Sequence, residues 1–273
     1  MIKDQEVANI IRKEEEKQQF KLSMIPSENF FSADVRKAVG SVFMHKYAEG
    51  NVGKRYYEGN QFVDKLELLT IERAKKVFSL PENWSVNVQA LAGSNANLAV
   101  YLTLLNIGDT IMGMYLPDGG HLSHGWSYEP KVEQNPNELT YMGGSRKVNI
   151  SSKIFKTVQY KTNPNTQLFN YDEIERIALE HKPKLIITGG TAYPREIDYQ
   201  RMKQIAEKVG AYYLADIAHE AGLIAAGVNK SPVGIADVVT MTTHKTLRAG
   251  RGALILANKE MIKKINRSIL PGL

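Results

Sequence analysis

Beyond residue 60 the chain alternates two spacings of apolar positions. Phe62, Leu66, Leu69, Ala74 and Phe78 recur at helical spacing and predict an amphipathic helix over 61–79. That helix should stop before Pro81, because the residue preceding a proline is biased away from helical geometry. A short β-prone run follows at 85–89, a helix at 95–105 and a strand at 110–114. Residues 171–181 predict a helix with Asp172 and Glu173 in its first turn, where carboxylates suit the helix dipole. Residues 184–188 are an apolar strand, and 198–209 are a helix closed by Gly210. Residues 212–215 are a strand with Asp216 at its end, and 238–241 and 253–257 are further strands. Alternating strands and helices predict an α/β domain with a mostly parallel sheet flanked by helices on both faces. Ligands of such sheets collect at the carboxyl ends of the strands.

Two stretches break the rhythm. Residues 3–19 are polar and helix-favouring, which suits a surface or subunit-clasping arm, assigned to 1–24. The 23–59 segment is dense in Gly, Asn, Ser and Tyr and predicts a long functional loop. Residues 126–153, with Pro130, Pro136 and Gly143-Gly144, predict an insertion or long loop within a large domain over 25–273. No internal repeat or low-complexity tract is visible.

Composition narrows the function classes. The 273 residues are 43% hydrophobic and 23% charged, ordinary for a globular chain with a substantial core. No apolar run approaches the roughly 20 residues that span a bilayer. The N-terminus lacks the apolar core of a signal peptide, so the cytoplasm is the expected compartment. With no cysteine there is neither a disulfide nor a thiolate metal site. The net charge of +6 is interleaved with acids, as in Lys13-Glu14-Glu15-Glu16-Lys17. It suits an anionic small molecule better than a nucleic acid, and neither a nucleic-acid nor a membrane partner is expected.

The candidate chemistry centres on Asp216-Ile217-Ala218-His219 and Thr242-Thr243-His244-Lys245-Thr246. Pyridoxal phosphate chemistry needs a lysine for a Schiff base and a carboxylate that keeps the pyridine nitrogen protonated. Lys245 and Asp216, both at strand ends, meet that need, although a carboxylate there is also a common helix cap. Gly93-Ser94 before a helix suits a phosphate at free N–H groups, or merely a turn with its cap. His219 and His244 offer polar contacts or packing, and Arg251, between Gly250 and Gly252, a phosphate anchor or a loop brace. His121 and His124 form a His-x-x-His without an acidic partner at helical spacing, which favours aromatic stacking over metal. Tyr47, Glu49, Arg55, Tyr56 and Tyr57 cluster around Gly50 and Gly53, fitting either an interface or proton transfer by Glu49. Neither a Walker lysine motif nor Gly-x-Gly-x-x-Gly occurs.

Together these residues resemble the serine hydroxymethyltransferases, fold-type I pyridoxal phosphate enzymes. The matching segments include Ile25-Pro26-Ser27-Glu28-Asn29, Tyr47-Ala48-Glu49-Gly50, Gly53-Lys54-Arg55-Tyr56-Tyr57 and Gly93-Ser94-Asn95-Ala96-Asn97. Gly119-Gly120-His121-Leu122-Ser123-His124-Gly125 and the two lysine-site segments continue the match, collinear over 25–273. The resemblance implies Lys245 as the covalent cofactor lysine, Asp216 as the pyridinium partner and His121 stacked on the ring. Gly93 and Ser94 become phosphate ligands, with Thr191, His219, His244 and Arg251 around the cofactor and Thr242 in the catalytic set. Glu49 resembles the acid–base residue of the folate step. Ser27 resembles a substrate-carboxylate contact, and Tyr47 and Tyr57 residues offered across a dimer interface. Leu116, Gly120, His121 and Leu122 match a folate-contacting region. The implied reaction interconverts serine and glycine with tetrahydrofolate as co-substrate, in a homodimer or a tetramer of dimers. A folate-independent aldolase of β-hydroxy amino acids, or a non-catalytic subunit, is the alternative. Four departures stand out: Asp118 for a usual histidine, Ala92 for a common serine, Arg248-Ala249-Gly250-Arg251 for the usual Gly-Pro-Arg ending, and the longer 126–153 segment. The family continues past the match to Leu273 into a C-terminal small domain carrying the carboxylate-binding arginine. The expectation is therefore a truncated chain with little serine cleavage by itself.

Overall fold

The computed structural model describes residues 2–130, 135 and 137–273. Helix α1 (Gln5–Phe20) is capped by the Asp4 carboxylate, which accepts from the Glu6 and Val7 N–H groups; none of its residues is buried. The expected long loop instead holds a seven-residue helix, α2 (Ala33–Val39), whose N-terminus is capped by Ser32. A 3-10 turn at Val42–His45 and a small hairpin follow, its strands β1 (Gly50–Asn51) and β2 (Lys54–Arg55) antiparallel. Helix α3 (Gln61–Val77) forms where the periodicity placed it. Its predicted apolar face is only partly covered: Ala74 and Phe78 are buried, but Phe62, Leu66 and Leu69 are exposed, Phe62 by 61%.

The main domain then unfolds in order: β3 (Trp84–Asn87), α4 (Gly93–Leu104) and β4 (Thr110–Met114). The 126–153 segment is more ordered than a bare loop. Its β5 (Ser127–Tyr128) pairs with β7 (Arg146–Lys147), between which β6 (Thr140–Tyr141) joins the edge of the main sheet. Residues 131–134 and Pro136 of this expected insertion lie outside the described residues. Helix α5 (Ile150–Ile154) leads into β8 (Lys156–Tyr160), a strand the apolar pattern does not announce. Helix α6 (Tyr171–His181), β9 (Leu185–Thr188), α7 (Tyr199–Val209), β10 (Tyr212–Asp216), α8 (Ala221–Ala225), β11 (Val238–Thr242), β12 (Ala253–Asn258) and α9 (Lys259–Ile269) complete the chain. Gly210 closes α7 in the left-handed conformation, as its place in the sequence predicts.

The eight-stranded sheet runs β3-β12-β11-β10-β9-β4-β8-β6. Its centre, from β11 to β8, is parallel; β12, β3 and β6 pair antiparallel at the two edges. Successive strand residues face opposite layers. Met112, Ile186, Tyr213, Ala215 and Leu256 pack with α3, α6, α7 and α8. Ile111, Leu185, Ile187, Leu214 and Ile255 pack with α4 and α9. Each fully buried aliphatic side chain here is worth about 1.5–3 kcal/mol, so the central strands are the rigid floor of the fold. Their carboxyl ends carry the loops described next.

Candidate active site

The loops after β3, β4, β9, β10 and β11 converge at one edge of the sheet, around a cavity of about 430 Å³. Gly189 and Gly119 let them approach. Gly189 has φ +119°, and a Cβ on it would run into the Asp216 carbonyl. At Gly119 (φ +117°) a Cβ would lie 2.8 Å from the Tyr193 nitrogen, and its carbonyl accepts from the Thr191 N–H. The cavity is lined by Ser27, Gly93, Ser94, His121, His124, Thr191, Asp216, His219, Thr242, His244, Lys245 and Arg251. One cavity thus collects the lysine, the carboxylate and every residue expected around the cofactor.

Asp216 ends β10 and is 9% exposed. Its Oδ1 accepts from the Ala218 N–H at 3.0 Å. Its Oδ2 accepts from Asn97 Nδ2 at 2.8 Å and His124 Nε2 at 3.0 Å. Burial alone would push this carboxyl up. The hydrogen bond and charge of His124, the nearby His121 ring and Asn97 outweigh burial and hold it well below the usual carboxylate range. Asn97 is in turn oriented by Thr240, whose hydroxyl donates to its Oδ1 at 2.7 Å. No sequence pattern ties His124, Asn97 and Thr240 to Asp216. The available signal was a lone asparagine on the apolar stripe of α4, fully buried in the fold.

His121 lies beside this network. The Ser123 N–H donates to its Nδ1 at 3.2 Å, so that nitrogen is unprotonated and the neutral ring carries its proton on Nε2. Burial pushes its pKa down to about 4, so the ring stays neutral near pH 7. His219 is likewise lowered to about 4, by burial first and then by Lys245. His121, His124 and Asp216 bring a possible ligand atom each within 4.8 Å of one another, the one such grouping among the described residues. The Asp216–His124 bond and the Ser123 N–H on His121 already engage these groups, so the arrangement reads as a proton-holding network.

Lys245 is 7% exposed, and its Nζ makes no hydrogen bond to a described residue. Burial lowers its pKa, partly countered by Asp216, which brings a free amine nearer to neutral pH. Its carbonyl is tied to the N-terminal loop by Asn29 Nδ2 at 3.0 Å. The N-terminus of α4 opens onto the same cavity, and its N-cap, Ala92, provides no side-chain acceptor. His219 Nε2 and His244 Nδ1 are buried without a partner among the described residues. A free amine, a supported carboxylate, an uncapped helix N-terminus and two orphaned imidazole nitrogens fit an aldehyde-bearing, phosphorylated heteroaromatic ring.

Other expected residues fall elsewhere. Glu49 and Tyr47 line a separate cavity of about 670 Å³ with Glu67, Gln89 and Leu273. Tyr57 is 54% exposed. Within one chain these three are not brought to Lys245. Leu116 opens a 3-10 turn after β4, Leu122 is half exposed and Gly120 is buried, but none of them lines the Lys245 cavity. Asp118, the departure at a usual histidine, accepts from the N–H and hydroxyl of Thr162 at 2.7 and 3.0 Å and braces that loop.

The family model for serine hydroxymethyltransferase matches residues 1–273. Among curated proteins the chain is 51% identical over 271 residues to a serine hydroxymethyltransferase of Rickettsia akari, covering 99% of this chain and 59% of that protein. It is 49% identical to the corresponding protein of Acinetobacter baylyi, over 98% of this chain and 60% of the relative. The chain thus spans about three fifths of the length of the curated relatives it matches.

Proposed function

The chain belongs to the serine hydroxymethyltransferase family, and from that premise we propose that it takes part in pyridoxal phosphate-dependent interconversion of serine and glycine, with tetrahydrofolate as the one-carbon acceptor. The observation that carries this reading is the buried Lys245 amine in one cavity with the supported Asp216 carboxylate. Lys245 would hold the cofactor aldehyde. Asp216 would hold a proton at the ring nitrogen, and His121 would lie against the ring face. The first N–H groups of α4 at Gly93 and Ser94, with His244 and Arg251 nearby, would hold the phosphate. His219 Nε2 and Thr191 are left to meet polar atoms on the ring. When bound, pyridoxal phosphate supplies an electron sink for breaking a bond at an amino-acid Cα.

The chain's own residues set the conditions for that chemistry. Asn97 and His124 keep Asp216 ionised inside a buried site, so the carboxylate can retain a proton on a heterocyclic partner. The low-pKa His121 stays uncharged and does not compete for that carboxylate. Ser27, on the cavity wall, would meet a substrate carboxylate. Glu49 is the proton-handling residue of the folate step, delivered with Tyr47 and Tyr57 from a second copy of the chain. Support for the second copy comes from the separation of Glu49 from Lys245 and from the large apolar side chains left bare nearby. Phe30, Phe31, Tyr47, Tyr57, Phe62 and Leu66 are all exposed. Among the described residues no helix is long and apolar enough to cross a membrane.

The test is release of glycine from serine by this chain joined to the C-terminal part of a full-length relative, with pyridoxal phosphate, with and without tetrahydrofolate. Release that requires tetrahydrofolate and is lost in Glu49→Gln supports the reading. Release indifferent to both would mark a folate-independent aldolase.

A further inference from the structure

Arg55 is a buried cation that the site described above does not use: its side chain is 4% exposed. It stands in β2 directly across from Gly50 of β1. From there its Nη1 donates to the Ala48 and Gly50 carbonyls, each at 2.7 Å. Those two carbonyls flank Glu49. The carbonyl of Glu49 itself accepts from the Tyr56 N–H at 2.9 Å. Three consecutive carbonyls around one carboxylate are therefore held by one hairpin.

The other side of the guanidinium is anchored to α3. Nε donates to Asp64 Oδ1 at 2.8 Å, and Nη2 pairs with Glu67 Oε2 at 2.8 Å as an ion contact rather than an aligned hydrogen bond. Asp64 Oδ2 also accepts from the Gly53 N–H at the hairpin turn. Gln89 Nε2 joins the Gly50 carbonyl to the Glu67 carboxylate. Gly50 has φ +106°, and a Cβ on it would lie 2.9 Å from the Arg55 Cα, so the close approach of the two strands needs glycine. Lysine has a single donor head in place of this planar fork and cannot reach two carbonyls and two carboxylates together.

We propose that Arg55 is the positioning residue for Glu49: it ties the carbonyls on either side of it to one planar guanidinium and so fixes where the carboxylate points. An ion pair with α3 alone would stabilise the hairpin; the two carbonyl bonds convert that stability into a fixed direction. The importance of that direction for the reaction rests on the role given to Glu49 above. The adjacent Tyr57 reports it. Its hydroxyl is a neighbour of the Glu49 carboxylate, without an aligned bond in the hydrogen-bond geometry, and the carboxylate holds the phenol pKa up.

The experiment titrates Tyr57 by NMR on ring-labelled tyrosine in the purified chain, with Tyr57→Phe assigning the signal. Glu49→Gln should move the midpoint down toward the ordinary value of about 10. Arg55→Lys should reproduce that shift, and should speed amide exchange across 48–51 about tenfold by loosening the clamp. Asp64→Asn with Glu67→Gln keeps the carbonyl bonds and should leave the Tyr57 midpoint in place. The proposal is overturned by a folded Arg55→Lys whose Tyr57 titrates as in the parent chain. It is equally overturned if the Asp64/Glu67 pair shifts Tyr57 as far as Glu49→Gln does, or if Glu49→Gln leaves Tyr57 unmoved. The pyridoxal phosphate absorbance of the parent chain is recorded alongside. Its absence would sink the cofactor reading without touching the Tyr57 comparison.

Discussion

His124 Nε2 and Asp216 Oδ2 stand 3.0 Å apart, the histidine side chain wholly buried and the aspartate side chain 8% exposed. The carboxylate that the cofactor reading needs is thereby kept ionised in a place where burial would otherwise neutralise it. Replacing His124 by Ala removes a hydrogen bond to a buried charge and should cost about 2 kcal/mol of stability. Urea unfolding of the folded apo chain would measure it. His124→Gln, which keeps a donor, should recover part of the loss. Equal losses in the two variants would mean that packing, and not the bond, is what His124 provides.

Stability should fall as pH drops from about 6.5 to about 4. His121 and His219 have folded pKa values lowered from 6.5 to about 4. In that window the unfolded chain binds protons that the folded chain refuses, so unfolding gains on folding as the pH falls. The slope is at most about 1.4 kcal/mol per pH unit for each group, and less for the more solvated His219. Asp216 acts at lower pH: its contribution is present above the unfolded value of about 3.9 and is lost as pH falls toward its depressed folded value. Denaturant titrations across pH, compared with a His121→Asn/His219→Asn variant, would check this. The variant should give a visibly flatter curve between pH 4 and 6.5.

Gly93→Ala should weaken pyridoxal phosphate binding while the sheet stays intact. The added methyl would approach Thr242 Cγ2 to 2.8 Å at the mouth of α4, where the phosphate would sit. A local overpacking of this kind costs the fold about 1–3 kcal/mol, and the shift it forces on the first N–H groups of α4 should weaken the cofactor's phosphate contacts. Fluorescence titration with the cofactor gives the number. Gly189→Ala should do worse, because it combines φ +119° with a collision at the Asp216 carbonyl. We expect poor folding there, read by circular dichroism and melting temperature.

Much of the architecture could be read from the chain because β9, β10, β11 and β12 are apolar runs and the helical spacings of α6 and α7 flank β9. Asp216 at the end of β10 was legible for the same reason. Strand β8 was not, because its sequence Lys-Thr-Val-Gln-Tyr lacks an apolar run: Thr157 and Gln159 are buried polar residues alternating with Val158 and Tyr160. Helix α2 escaped because seven residues held by one serine cap leave little periodicity to detect. In sequence His124 is only half of a His-x-x-His. Its partner Asp216 lies 92 positions away and is joined to it only by the convergence of two loops. The exposed face of α3 shows the converse, since helical spacing marks an apolar stripe but does not say what covers it.

The separation of Glu49 from Lys245 predicts that two chains share a site. With the chain joined to the C-terminal part of a full-length relative, mixing Lys245→Ala with Glu49→Gln, each inactive alone, should restore tetrahydrofolate-dependent glycine release, because mixed pairs contain one intact set. Phe62→Glu with Leu66→Glu, on the bare face of α3, should shift the sedimentation of the parent assembly toward the single chain. Activity absent from every mixture, under conditions in which the parent protein turns over, would place Glu49 and Lys245 in one chain's site after movement of the hairpin.

Borohydride reduction of the chain incubated with pyridoxal phosphate, followed by peptide mass mapping, tests whether Lys245 holds the cofactor against Asp216. One pyridoxyl-phosphate adduct is expected, on the peptide containing Lys245, and none in folded Lys245→Ala. A folded parent chain with no adduct, or with its adduct on another lysine, would contradict it.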